Sequence, residues 1–307
     1  MHGLPPLFNP SNDMALAANV REYTPPRRIR QMEDDLQALA LCWDEGPWGW
    51  SIATKQRYEK MGIDSCLLPS DEWLEEVRRL SSREFACNYL NFLLKAIPSE
   101  QLLGQDMEMH TSVGGTVEGR IFKSLWSSSG RGVFTAEGLS RNHLTERLEG
   151  LVNSQGGYVS DRFYKNKRQD CAMEFLIRNE TAVEFLGYSV FNADKNGSYQ
   201  YNIVGSQEQL RAMIDVPDEL LCQLIDYHRE QLGKTAYRGI VGIDMLTTDD
   251  GRLHPVVEIN FRMNMGVLAL LLFERYGSNA NVQLTPKREH GFEAKVEDGR
   301  LSISYKP

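Results

Sequence analysis

The sequence lacks several features that mark common classes of protein. It has no long cluster of Lys and Arg, and its net charge of −8 disfavours binding to nucleic acid. Its five cysteines are scattered without C-x-x-C spacing, which is typical of a reducing compartment. The N-terminus has no signal-peptide pattern, and no apolar run is long enough to cross a bilayer. We therefore expect a cytoplasmic protein that binds neither nucleic acid nor membrane.

The order of helical and strand-like patterns indicates several lobes. At 307 residues the chain is long enough for two or three. Helical patterns, including helices predicted at 27–41 and 85–96, dominate its first third, whereas strand patterns begin near residue 110 and lengthen after Cys171. We predict an α+β fold with an N-terminal α/β lobe at 1–97 and two further lobes at 98–160 and 161–307.

Oxygen-bearing side chains interrupt two apolar runs near the C-terminus. Glu258 and Asn260 stand two residues apart, so they share one face of a strand. Asp244 lies in the preceding apolar run, and a turn signal at 248–251 predicts that the two runs pair as a hairpin. Pairing would place Asp244 beside Glu258, and oxygen ligands without His or Cys suit Mg²⁺. The alternative is a pair of surface carboxylates on an exposed strand.

A second polar element follows a strand predicted to end at Lys123. Three serines and two glycines come next, and such small residues let backbone N–H groups approach an anion closely. The Lys123 ammonium would add a point charge for a phosphate oxygen. The loop is not a Walker A sequence, and an ordinary mobile turn is the alternative interpretation.

Together the two elements resemble the ATP-grasp superfamily over roughly residues 82–275. The resemblance implies an ATP-grasp fold, in which two α+β lobes grip ATP and a smaller N-terminal α/β lobe contributes the acceptor substrate. It also implies an ATP-dependent ligase, which converts a small-molecule carboxylate into an acyl phosphate that an amine or a thiol displaces. The matching segments, in the family's order, are Lys123 to Gly132, the connecting strand 158–163, Asp244, and Glu258 to Arg262.

The resemblance implies a role for each matching residue. Asp244, Glu258 and Asn260 would hold Mg²⁺, or Mn²⁺ in its place. Lys123 and Arg262 would be catalytic, Arg262 through a contact with the transferred phosphate or the acyl phosphate. Asp161 and Phe163 match positions that hold adenine or ribose in relatives, although Asp161 also fits an ordinary solvated acid at a strand end. The implied nucleotide-binding residues are Lys123, Ser128, Ser129, Gly130, Arg131, Gly132, Asp161 and Phe163.

Two features leave alternatives open. Many amide-forming relatives carry an arginine at the position of Gly242, so either another arginine substitutes or the chemistry differs. A protein that only binds ATP and regulates a partner, or a kinase-like enzyme that phosphorylates a small molecule, is therefore an alternative to the ligase. Near the N-terminus, either Asn12 or Asp13 caps a helix, or Asn9, Asn12 and Asp13 face the substrate cleft.

Overall fold

The computed structural model describes residues 3–43, 46–127, 130, 132–194, 198–277 and 281–307. The predicted Ser128, Ser129 and Arg131 lie outside these residues. The helices are α1 Asn12–Ala18, α2 Arg27–Leu36, α3 Ile52–Lys60, α4 Asp71–Leu80, α5 Arg83–Ala96, α6 Arg141–Gln155, α7 Gln207–Ala212, α8 Asp218–Gly233 and α9 Met265–Tyr276, with 3-10 turns at Gln37–Cys42 and Ser65–Leu67. The strands are β1 Glu108–His110, β2 Arg120–Ser124, β3 Val133–Thr135, β4 Tyr158–Arg162, β5 Lys167–Ile177, β6 Val183–Ala193, β7 Tyr199–Ile203, β8 Gly239–Thr248, β9 Leu253–Asn260, β10 Val282–Gln283, β11 Gly291–Glu297 and β12 Arg300–Lys306.

The strands form two antiparallel sheets. The larger sheet has the order β10-β11-β12-β7-β6-β5-β8-β9, and the smaller has the order β1-β4-β2-β3. Helices lie beside both sheets, so the predicted α+β class is confirmed. The lobe boundaries stay a prediction. The boundary predicted at 160 falls within β4 of the smaller sheet. In the N-terminal lobe the described residues form helices with one isolated bridge between Leu7 and Pro47, which is less β structure than predicted.

Alternation along β8 decides which side of the larger sheet is polar. Val241, Ile243 and Met245 are buried in the main hydrophobic cluster, together with residues of α5 and α8. Gly242 and Asp244 therefore face the other side, because successive side chains of a strand point in opposite directions. A second hydrophobic cluster, built around α9, covers part of that side. The rest of it is available for polar chemistry.

Local signals place α5 at the edge of this polar face. The Ser82 hydroxyl accepts a hydrogen bond from the Phe85 amide, so α5 begins at Arg83, two residues earlier than predicted. By contrast α2 ends at Leu36 and a 3-10 turn continues the chain, where a helix to residue 41 was predicted. There the Gln37 side chain accepts from the Phe8 amide. In the described ranges no helix is long and apolar enough to cross a membrane.

Candidate active site

Asp244 and Glu258 face each other across the β8–β9 hairpin. The register pairs Asp244 with Glu258 and Gly242 with Asn260, which confirms the predicted antiparallel pairing. The turn closes at Gly251, whose φ of +72° suits glycine. Because residues two apart share a face of a strand, the three predicted metal ligands lie on one side of the sheet.

The cluster around Asp244 carries an excess of negative charge. Burial raises the pKa of the Asp244 carboxyl well above its usual range, and the carboxylates of Glu258 and Glu174 raise it further. A hydrogen bond with the Asn260 amide and the nearby Arg262 act in the opposite direction but do not offset these effects. A divalent cation among these oxygens would relieve the repulsion. The donor set therefore fits Mg²⁺.

The candidate metal site depends on few protein ligands. Over the residues that the structure describes, no group of three or more His, Cys, Asp or Glu side chains is placed to hold a metal ion. The site has two carboxylates, and the third protein oxygen belongs to the Asn260 amide. Such a set is usual for Mg²⁺, which keeps several positions for water and substrate phosphate oxygens.

Arg262 joins the N-terminal lobe to β9, which carries Glu258 and Asn260 and is called the metal strand below. Its Nε and Nη2 donate to the two carboxylate oxygens of Asp13 at 3.0 and 2.9 Å. Nη2 also donates to Asn260 Oδ1 at 2.9 Å, and Nη1 donates to the Met263 carbonyl oxygen at 3.1 Å. A guanidinium has five N–H groups, so these contacts within the described residues leave one N–H, on Nη1. The Nε and Nη2 edge of the guanidinium, which was predicted to contact a phosphate, therefore binds the Asp13 carboxylate.

Arg83 is a site residue that the sequence analysis missed. Its buried guanidinium lies 2.8 Å from Glu258 Oε2, and Nη1 donates to the Ser124 carbonyl oxygen and to Ser127 Oγ at 2.6 and 2.8 Å. Arg83 thus connects the start of α5 to the loop after β2 and to the metal strand. Its only sequence signal is its place directly after the Ser82 cap, which gives no indication of a partner 175 positions away.

Two buried polar atoms beside this arginine have no partner in the described part of the chain. They are Arg83 Nε and Ser124 Oγ. Ser124 closely approaches Gly132, where a Cβ atom would lie 2.3 Å from the hydroxyl oxygen and where φ is +70°. Unsatisfied buried donors are uncommon in proteins and indicate a missing ligand or water. The free Nε of Arg83 could donate to a phosphate oxygen.

Lys123 lies on β2, and its side chain is buried against Asp161. The Lys123 Nζ is 3.5 Å from Asp161 Oδ2, and only 6% of Lys123 and 2% of Asp161 are exposed. Burial would raise the pKa of the Asp161 carboxyl, but Lys123 and His254 hold it below its usual range. Asp161 therefore has protein partners where the sequence analysis expected adenine or ribose. Phe163 is partly buried and its adenine contact stays a prediction.

Comparison with solved structures places this geometry in a known fold. The chain is similar to pyruvate carboxylase from Rhizobium etli, with a TM-score of 0.50 and 14% identity over 66% of this chain and 17% of that chain. It is similar to a protein of Archaeoglobus fulgidus described as a member of the ATP-grasp superfamily, with a TM-score of 0.42 and 14% identity over 76% of this chain and 66% of that chain. The chain has the ATP-grasp fold.

Further comparisons show how distant these similarities are. The ATP-grasp chain resembles N5-carboxyaminoimidazole synthetase from Staphylococcus aureus, solved with ADP, at a TM-score of 0.42 and 12% identity over 64% of this chain and 52% of that chain. It thus spans about half the length of that protein. No protein-family model matches the chain, and no curated protein sequence matches it.

Side-chain atoms of Asn264 and Glu174 fill the space beside Gly242, the position at which the resemblance implies an arginine. A Cβ atom at Gly242 would lie 2.4 Å from Asn264 Nδ2 and 2.6 Å from Glu174 Oε2. Asn264 donates to Glu174 at 2.7 Å, and Ser189 donates to the other carboxylate oxygen at the same distance. A buried hydrogen-bonded group therefore fills the position from which a longer side chain would extend.

The polar N-terminal residues have different roles. Asn9 donates to the Gly49 carbonyl oxygen and to Thr54 Oγ1, so it holds the lobe together. Asn12 packs so closely on Gly49 that a Cβ atom there would lie 2.5 Å away. Neither Asn12 nor Asp13 caps a helix, because both lie inside α1. Only Asp13 of these residues reaches the metal strand, through Arg262.

Proposed function

We propose that the protein is an ATP- and Mg²⁺-dependent ligase that forms C–N bonds in preference to C–S bonds. The observation that carries this proposal is the position of Arg83, which lies 2.8 Å from Glu258 while its Nε has no partner among the described residues. Arg83 thus links Glu258 to the loop that follows Lys123, and its Nε is a spare donor. That arrangement fits a polyphosphate that bridges them.

The proposed roles follow from charge. Asp244, Glu258 and Asn260 would hold Mg²⁺, or Mn²⁺ in its place, which would supply positive charge for the terminal phosphates. Lys123 and Arg83 contact phosphate oxygens of the nucleotide. Because these donors are already in position in a partly dry cleft, they stabilise the charge that develops on the phosphoryl group during transfer.

The reaction proceeds in two balanced steps. A carboxylate oxygen of the substrate attacks the terminal phosphorus of ATP, and the bond to the bridging oxygen breaks to release ADP. An amine nitrogen, or a thiol sulfur, then attacks the acyl carbon, phosphate leaves, and the nucleophile loses a proton. Arg262 offers its remaining N–H to the acyl phosphate, while Asp13 keeps the guanidinium in place.

The proposed partners are small molecules, a carboxylate together with an amine or a thiol. We also infer a cytoplasmic location, which the five free cysteines support. One observation favours a kinase-like transfer to a small molecule as a second candidate. The position that holds an arginine in many amide-forming relatives is filled here by Glu174 and Asn264. The resemblance implies that this arginine stabilises the tetrahedral intermediate at the acyl carbon, and phosphoryl transfer to a hydroxyl group forms no such intermediate.

The proposal is tested by measuring ADP release from MgATP in the presence of a panel of amino acids and small carboxylates. Mass spectrometry then identifies the product. An amide or thioester would identify a ligase, and a phosphate ester would identify the kinase-like enzyme. Glu258→Gln should reduce turnover by on the order of 10²–10³ because the metal loses a charged ligand. Glu230→Gln is the control, since Glu230 is exposed and pairs only with α8. Wild-type protein that binds MgATP and never releases ADP would instead be a binding module.

A further inference from the structure

Asp161 occupies a place where the resemblance implies a contact with adenine or ribose, yet its side chain lies against Lys123 and His254. We propose that Asp161, supported by His254, is a positioning residue that holds the Lys123 ammonium in place for the phosphates of the nucleotide. This inference rests on the phosphate-binding role proposed for Lys123. It assigns no direct nucleotide contact to Asp161.

The strand register brings Asp161 and Lys123 to the same face of the smaller sheet. In the β2–β4 pairing, Lys123 is opposite Val159 and Ile121 is opposite Asp161. Lys123 and Asp161 are therefore diagonal neighbours, which is within reach of a long side chain. The 3.5 Å separation of Nζ and Oδ2 is consistent with this geometry. A lysine buried to this degree needs such a counter-charge.

Both carboxylate oxygens of Asp161 lie close to nitrogen atoms of the protein. Oδ1 accepts a hydrogen bond from the Arg162 amide at 2.7 Å. Oδ2 lies 3.5 Å from Lys123 Nζ and 3.2 Å from His254 Nε2. Because the residue is 2% exposed, a ribose hydroxyl has little access to either oxygen. The Lys123 ammonium has three N–H groups, so it can keep Asp161 and still donate to a phosphate.

His254 links this pair to the metal strand. It lies on β9, the strand that carries Glu258 and Asn260, and its side chain is fully buried. A Cβ atom at Gly104 would lie 2.8 Å from His254 Nε2, so the imidazole is closely packed. The contacts from β9 to Asp161 on β4, and from Asp161 to Lys123 on β2, therefore join the two sheets. The position of Lys123 is therefore linked, through Asp161 and His254, to the strand that carries Glu258 and Asn260.

A double-mutant cycle of Asp161 and Lys123, read out by nucleotide affinity, tests the proposal. Asp161→Asn should weaken MgADP by at least about tenfold, the loss expected for one charge-assisted contact, and should leave adenosine binding unchanged. Lys123→Ala should do the same, and the double variant should be no weaker than Lys123→Ala alone. If Asp161→Asn weakens adenosine as much as MgADP, or if the two effects add, Asp161 is a direct nucleoside contact and the proposal is overturned.

Two further measurements keep the test decisive. Lys167 and Asp170 form an ion pair of the same types at 2.7 Å, and Lys167→Ala and Asp170→Asn should leave both affinities unchanged. Melting temperatures without nucleotide, over the same Lys123 and Asp161 variants, should be non-additive, and additive shifts would overturn the pairing. If the wild-type protein binds no adenine nucleotide, the proposed function fails, but the melting temperatures still test the pairing of Lys123 with Asp161. If Asp161→Asn does not fold, His254→Gln should weaken MgADP and spare adenosine, and unchanged MgADP binding would refute the support from His254.

Discussion

Replacement of Arg262 by methionine should destabilise the fold, because the Arg262 guanidinium binds both Asp13 of the N-terminal lobe and Asn260 of the metal strand. The variant leaves the Asp13 carboxylate, which is 11% exposed, without its two-pronged partner. Asp244 and Glu258 also lose a nearby positive charge. Removal of one member of a buried ion pair typically costs about 3–5 kcal/mol in the free energy of unfolding, and the extra repulsion places this variant at the upper end.

Asp13→Leu combined with Arg262→Met should recover most of this loss. Replacement of both members of a buried pair by apolar groups is often neutral, because no uncompensated charge remains. Urea denaturation of the wild type, the two single variants and the double variant measures the coupling. The exposed pair of Lys234 and Glu230 is the control, where each change should leave the free energy of unfolding almost unchanged. Single-variant losses at Asp13 and Arg262 that simply add would refute the reasoning.

Three further predictions concern other parts of the site. Gly242→Ala should cost about 1–3 kcal/mol by overpacking, whereas Gly150→Ala, in an open helical position, should stabilise by roughly 0.5–1 kcal/mol in the same denaturation assay. Burial raises the pKa of Glu174 from 4.5 to about 7, so the protonated carboxyl stabilises the fold at low pH and this contribution is lost as pH rises through 7. Between pH 5 and pH 8 the free energy of unfolding of Glu174→Gln relative to wild type should therefore rise by roughly 3 kcal/mol. A constant difference would contradict this. Arg83→Gln should bind Mg²⁺ alone more tightly in a calorimetric titration, since a competing cation on the metal carboxylate is gone, and MgADP more weakly; the exposed Arg79→Gln should change neither.

The sequence predicts the hairpin because its signals are local. The turn at 248–251 and the alternation on each side specify that Asp244 lies beside Glu258, since a shift by one residue would turn the metal ligands toward the core. The same holds for α5, whose start depends on the nearby Ser82 cap. Signals of this kind act over a few residues and can be recognised without knowledge of the tertiary structure.

The charged contacts of the site could not be predicted in this way. Arg83 and Glu258 are 175 positions apart, and Asp13 and Arg262 are 249 apart. Their pairing depends on how the lobes pack, about which neither periodicity nor turn chemistry carries information. Asp161 shows the same limit, because the resemblance places it near the nucleotide but does not reveal that it is buried against Lys123.

These contacts also place a cation beside the carboxylates of the site. Each cation of the site has an acidic partner where the nucleotide and its metal are expected: Arg83 on Glu258, and Lys123 on Asp161. Binding of Mg²⁺ to Glu258 would weaken the hold of that carboxylate on Arg83 and free the guanidinium for a phosphate. A phosphate that arrives alone would instead meet the negative charge of Asp244 and Glu258 without relief. The site should therefore favour the metal and the nucleotide together over either one alone, because each neutralises the charge that the other would leave unpaired.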